Sequence, residues 1–183
     1  MNINAYKQLC EKFTKELNTV QEPYVRAASS VGVFVEKYVS ADKASALINM
    51  SEEAIEKELG VNQNDNETLS RSQLGDIVEA FNKERPELST EQDVHALLDS
   101  YESLMAASEK FMTAVDPVVS RMTKSIIDMG NNAKQIQDPE AAKKVRQFAA
   151  MFLKNAREVT KVMNSVTRRM DSITNDVVKA SEV

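Results

Sequence analysis

The stretch DPEAAKKVRQFAAMFLKNAREVTKVMNSVTRRMDSITNDVV, residues 138–178, decides the fold. Its apolar residues fall at alternating steps of four and three: Val145, Ala149, Phe152, Ala156, Val159, Met163, Val166, Met170, Ile173 and Val177. That is the spacing of a packed helical seam. At about 1.5 Å per residue such a helix runs roughly 60 Å. An apolar stripe of that length needs covering, so the rest of the chain must supply helices to pack on it.

Composition agrees. Of 183 residues 42% are hydrophobic and 28% charged, an ordinary balance for one globular domain. Four Gly, four Pro and no Trp leave few turn-formers and few strand-formers, and no segment alternates apolar and polar residues strictly by two, so the expected class is all-α. The longest apolar runs are far shorter than the ~20 residues a membrane span needs. Residues 1–16 are polar and mixed in charge, without the apolar core of a secretory signal. The expected location is therefore cytoplasmic, or outside the cell by export without an ordinary signal peptide. The single cysteine, Cys10, excludes an internal disulfide and a cysteine metal cluster, which suits a reducing compartment.

Two other segments carry the seam pattern. From Ile3 the apolar steps run through Tyr6, Cys10, Phe13, Leu17, Val20, Tyr24, Ala27, Val31, Phe34 and Tyr38. Pro23 lies inside this run, but Tyr24, Ala27 and Val31 keep the register of Phe13, Leu17 and Val20, so residues 1–39 are expected to form one long helix kinked near Pro23. From Thr90, which forms a capping box with Asp93, the steps run through Val94, Leu98, Tyr101, Met105, Ser108, Met112, Val115, Val119, Met122, Ile126 and Met129. Leu97, Leu104, Phe111 and Val118 widen the stripe. By the same argument residues 90–130 are a second long helix, kinked near Pro117, and residues 138–180 are the third. Gly130, Asn131 and Asn132 supply left-handed conformations that stop the second helix, and Asp138 with Pro139 opens the third. A turn centred near residue 134 places Met105 opposite Met163 and Leu98 opposite Met170.

Residues 40–89 read as an insert of short helices near 42–49, 51–59 and 71–84. Ser40, Asp42, Ser51 and Ser70 or Ser72 are the candidate caps, Gly60 is a C-terminal stop, and 61–67 form a polar loop. Residues 41–100 hold 14 acids against 5 bases. The expected architecture is a single domain of residues 1–183, an elongated, coiled-coil-like antiparallel bundle of three long helices running up, down and up. The acidic insert sits at the end away from the 130–138 turn.

Few residues point to chemistry. His95, one turn from Glu91 and Asp99, is the only histidine, and a carboxylate-bridged metal site on a bundle needs Glu-x-x-His motifs that the chain lacks, so His95 is expected to be a surface residue. Cys10 falls in a seam, where a thiol acts as a small apolar group. With no Gly-rich phosphate loop and no Ser-His-Asp pattern, no catalytic residue, cofactor or metal is assigned. Methionines concentrated in the second and third seams suit core filling, and secondarily repacking against a foreign helix. The third helix bears a second stripe, opposite its seam: Lys143, Arg146, Lys154, Arg157, Lys161 and Arg168. Residues 138–183 hold nine bases and six acids, whereas the whole chain is −5.

A charged face of this kind is most often simply solvated; its functional reading is an anionic-partner surface. The leading expectation is a non-enzymatic interaction or scaffold protein that presents helical surfaces to a protein partner or to itself, with a homodimer the simplest assembly. Leu97, Leu104, Phe148, Leu153 and Val162 are available for that contact. The alternative is a peripheral binder of anionic membrane or nucleic acid through the basic stripe, and the third reading is an enzyme without a recognisable motif.

Overall fold

Among the residues described by the computed structural model, 1–59 and 73–181 with the side chains of 73, 155, 177, 180 and 181 apart, every regular element is helical. The order is α1 (Ile3–Lys37), α2 (Ala41–Ala46), a 3-10 turn (Leu47–Asn49), α3 (Glu52–Leu59), α4 (Gln73–Lys83), α5 (Glu91–Asn132), a second 3-10 turn (Ala133–Gln135) and α6 (Pro139–Ser181). The chain is all-α. Pro23 lies inside α1 and Pro117 inside α5. Gly60, Ser70, Ser72 and the 61–67 loop lie outside the described residues, as does the Val177 side chain.

Each long helix starts where a side chain accepts from its free N–H groups. Asn2 Oδ1 accepts from the Ala5 amide at 2.9 Å, and Asp138 Oδ1 accepts from the Glu140 amide at 2.9 Å, with Pro139 as first helical residue. Thr90 and Asp93 make the expected reciprocal box: the Asp93 amide donates to Thr90 Oγ1 at 3.1 Å and the Thr90 amide to Asp93 Oδ2 at 3.0 Å. Ser51 Oγ accepts from the Ala54 amide. Ser40 holds the N-cap position of α2, but its side chain makes no capping bond. The expected stop at Gly130 is corrected. The helix runs on through Gly130, Asn131 and Asn132, and Asn132 is right-handed (φ −65°, ψ −24°). Two contacts make left-handed residues unnecessary here: Asn132 Nδ2 donates to the Val39 carbonyl and Ala133 is fully buried.

Residue contacts gather into two compact units. The first comprises Met1–Glu22, Arg71–Thr113 and Lys161–Val183. Its core is an aromatic group, Tyr6 and Phe13 of α1 around Phe81 of α4, with ring centroids 5.6 and 5.1 Å apart. Leu74, Ile77 and Val78 complete the buried face of α4 at i, i+3, i+4 spacing. Leu97, Leu104 and Phe111 from α5 and Met163, Val166, Met170 and Ile173 from α6 are also buried. The second unit comprises Pro23–Ser70 and Ala114–Thr160. There Phe34 of α1 packs on Phe152 of α6 at 5.6 Å. Val115, Val119, Met122, Ile126 and Met129 of α5 are buried. The short α3 is tied to α1 by Glu58, which accepts from Lys37 Nζ at 2.6 Å and from Tyr38 Oη at 3.0 Å.

Three expectations are overturned. The up, down, up order fails within the second unit, where α1 and α5 run the same way: Gly32 lies against Met122, Glu36 accepts from Arg121 and Ser125, and Val39 meets Asn132. A connection as long as residues 38–90 allows two successive long helices to run the same way, so the alternation that short loops enforce does not apply. For the same reason the insert is not gathered at the end away from the 130–138 turn. Its α2 touches the Ala133–Gln135 turn and its α4 belongs to the first unit.

The third correction is the seam of α5. Up to Phe111 the buried apolar line is Leu97, Leu104 and Phe111, one position round from the expected Val94, Leu98, Tyr101, Met105 and Met112, of which Met105 is 39% exposed and the others half-buried; Ser108 of the expected line is buried. A four-plus-four step through Val115 and Val119 joins this line to the expected one. Met105 therefore does not face Met163, and Met170 receives the Ser108 hydroxyl (3.3 Å) rather than Leu98. Leu97 and Leu104, counted on for an intermolecular contact, are consumed inside the molecule.

Burial makes the seam energetics testable. Phe152 is 2% exposed, so Phe152→Ala should lower the unfolding free energy by about 3–5 kcal/mol. Met105→Ala should change it by less than about 1 kcal/mol. Urea unfolding of the two variants checks both, and similar losses would contradict the corrected register.

Candidate functional site

The face of α6 opposite its seam carries the cationic row. At 100° per residue, Lys143, Arg146, Lys154, Arg157, Lys161 and Arg168 fall within about 80° of one another, and all six are exposed. The first four belong to the second unit, the last two to the first. Among the described residues Lys143, Arg146, Lys154 and Arg157 form no ion pair with a carboxylate. The nearby acids, Glu140 and Glu158, lie at the two ends of this segment. The nine seam residues from Val145 to Ile173 are meanwhile buried. Helical geometry alone separates the two faces, since residues three and four apart share one side.

His95 is exposed, with Nε2 4.0 Å from Glu91 Oε1. It borders a cleft of about 810 Å³ in the first unit, lined among others by Arg85, Ser89, Thr90, Asp176 and Lys179. The nucleophile candidates of that cleft are engaged elsewhere. The Ser89 hydroxyl donates to Asp93, and Thr90 Oγ1 accepts from the Asp93 amide. Among the described residues no group of three His, Cys, Asp or Glu side chains is placed to hold a metal ion, and no helix is long and apolar enough to cross a membrane.

One polar cluster escaped the sequence reading. Arg169 is 3% exposed. Its guanidinium lies 4.8 Å from the Phe81 ring centroid and 5.6 Å from that of Tyr6, and Nη2 donates to the Tyr6 hydroxyl. Its Nε has no acceptor among the described residues, and Asp176 Oδ2, also buried, has no donor there. Burying a guanidinium costs several kcal/mol. The aromatic faces return about 2 kcal/mol or more when desolvated, and a charged hydrogen bond about 1.5–3. The signal was present: Arg169 stands three residues after Val166 and four before Ile173, so it lies on the seam's edge, while its neighbour Arg168 faces solvent.

Cys10 is buried beside this cluster, as its place in the seam implied. Burial pushes its thiol from 9.0 up to about 12, against the pull of the Arg169 charge. Burial likewise lifts the Tyr6 hydroxyl from 10.0 to about 12, Arg169 again opposing. A thiol held protonated is a packing group, not a nucleophile.

Two outcomes follow. The unfolded chain ionises at ordinary values and the folded one does not, so the stability from these two groups is fully present below about pH 9 and is lost as pH rises toward 12. Urea midpoints measured at pH 8 and pH 11 should fall less for Cys10→Ala than for the parent protein. For the cluster, a double-mutant cycle of Arg169→Met with Tyr6→Phe should give a coupling of about 1–3 kcal/mol. Additivity would mean that the guanidinium and hydroxyl do not support one another.

No protein-family model, curated protein or solved structure matches this chain.

Proposed function

We propose that this chain is a non-enzymatic interaction protein, a helical scaffold that offers the cationic face of α6 to an acidic protein partner or to another copy of itself. The observation that supports the reading is the asymmetry of α6, a buried seam on one side and, on the other, exposed cations of which Lys143, Arg146, Lys154 and Arg157 form no carboxylate pair among the described residues. Exposed like charges held on a rigid helix repel one another, and an acidic partner relieves that repulsion. In this reading the three long helices form one bundle in which α5 and α6 are antiparallel. Pro23 and Pro117 mark bends, because each removes a backbone hydrogen bond from a helix that continues past it. A second reading, docking on the phosphates of an anionic membrane or of nucleic acid, uses the same row.

Salt and charge reversal separate these readings. Fluorescently labelled polyglutamate should bind at low ionic strength and dissociate as salt rises past physiological levels, where the screening length falls below about 8 Å. Lys154→Glu with Arg157→Glu should abolish that binding without changing the helical circular dichroism. Absence of polyglutamate binding by the parent protein, with retention of anionic vesicles or duplex nucleic acid lost in the variant, would favour the second reading. Absence of all three would leave the face simply solvated.

A further inference from the structure

We propose that the acidic partner of the α6 face is a second copy of this chain, docked through the outward face of α5 in its first unit; the proposal rests on the reading of α6 as a docking surface. On α5, Asp99, Glu102 and Glu109 point away from the buried line of Leu97, Leu104 and Phe111, within about 80° of one another at 100° per residue. All three are exposed and, among the described residues, none is ion-paired. The part of α5 within the first unit, residues 91–113, holds five acids and one lysine, and residues 139–160 of α6 hold five bases and two acids.

The two rows share a pattern of opposite sign. Asp99, Glu102 and Ala106 repeat the i, i+3, i+7 spacing of Lys143, Arg146 and Ala150. Both alanines are exposed, and each adjoins an exposed methionine, Met105 preceding Ala106 at 39% and Met151 following Ala150 at 47%. A small residue at the centre of each row lets two helices approach closely, and the neighbouring thioethers supply adaptable apolar contact beside it. Laid antiparallel with Ala106 on Ala150, Asp99 faces Arg157 and Glu102 faces Lys154, while Glu109 faces Gln147, one position from Arg146. Asp99 and Glu102 each meet a base, and reversing one row turns both direct pairings into repulsions.

Because the rows sit on different helices, the contact is either reciprocated in a twofold dimer or repeated head to tail. The assembly mass distinguishes the two, and both satisfy the proposal. Exposed ion pairs are individually weak, so self-association should be salt-sensitive.

The test uses two full-length variants, Asp99→Lys with Glu102→Lys, and Lys154→Glu with Arg157→Glu, measured by sedimentation velocity and light scattering at low and high salt. All four positions are exposed, and circular dichroism checks that each variant folds. The parent protein should self-associate at low salt and return to monomer mass at high salt. Each variant alone should associate on the order of a hundredfold more weakly, from the cost of like-charge juxtaposition. An equimolar mixture should recover association, because each reversed row then meets an opposite one. A parent protein that stays monomeric at low salt while still binding polyglutamate would overturn the second-copy proposal and leave the α6 reading standing; loss of both would remove both. Self-association that survives either reversal, or that the mixture does not restore, would overturn the pairing.

Discussion

The seam of α6 sets the terms for everything else in the molecule. Nine apolar side chains in a four-three rhythm must leave water together, at about 25 cal/mol per Å² of apolar surface. The remaining helices are arranged to meet this demand. In the first unit α1, α4 and α5 contribute Phe13, Phe81 and Leu104 to the core; in the second, α1 and α5 contribute Phe34 and Val119. The two prolines and the long connection are accommodated because burial along the seam outweighs the local cost of each.

What was readable in advance follows from what a hydrophobic period encodes. Period reports which side of a helix is buried, so α1 and α6 were legible almost residue by residue, as was the outward placement of the six cations. Period carries no direction. Tyr6 and Phe34 read as core whether α5 runs with α1 or against it, and the residues between α1 and α5 are long enough for either. Where two apolar lines compete on one helix the period is ambiguous: Met105 and Leu104 both fit a stripe, and it is Leu104 that the fold buries.

The polar features divide in the same way. Acidity was read as a bulk property of residues 41–100, although the acids matching the α6 row are those sharing one angular face of α5. Bulk charge speaks to solubility and angular charge to recognition. Arg169 was overlooked because an arginine is ordinarily counted as surface. Its position between Val166 and Ile173 outweighed its chemistry, and two aromatic rings supplied what water would have.

The division into two units also orders the chain in time. Every segment of the second unit lies between residues 23 and 160, whereas the first needs residues 161–183 to supply Met163, Val166, Met170 and Ile173. During synthesis, which proceeds from the N-terminus, the ribosome releases all of the second unit before the last strip of the first. For that interval Tyr6, Phe13 and Phe81 lack the residues of α6 that complete their unit, and the nascent chain carries an open aromatic surface after every segment of the second unit has emerged.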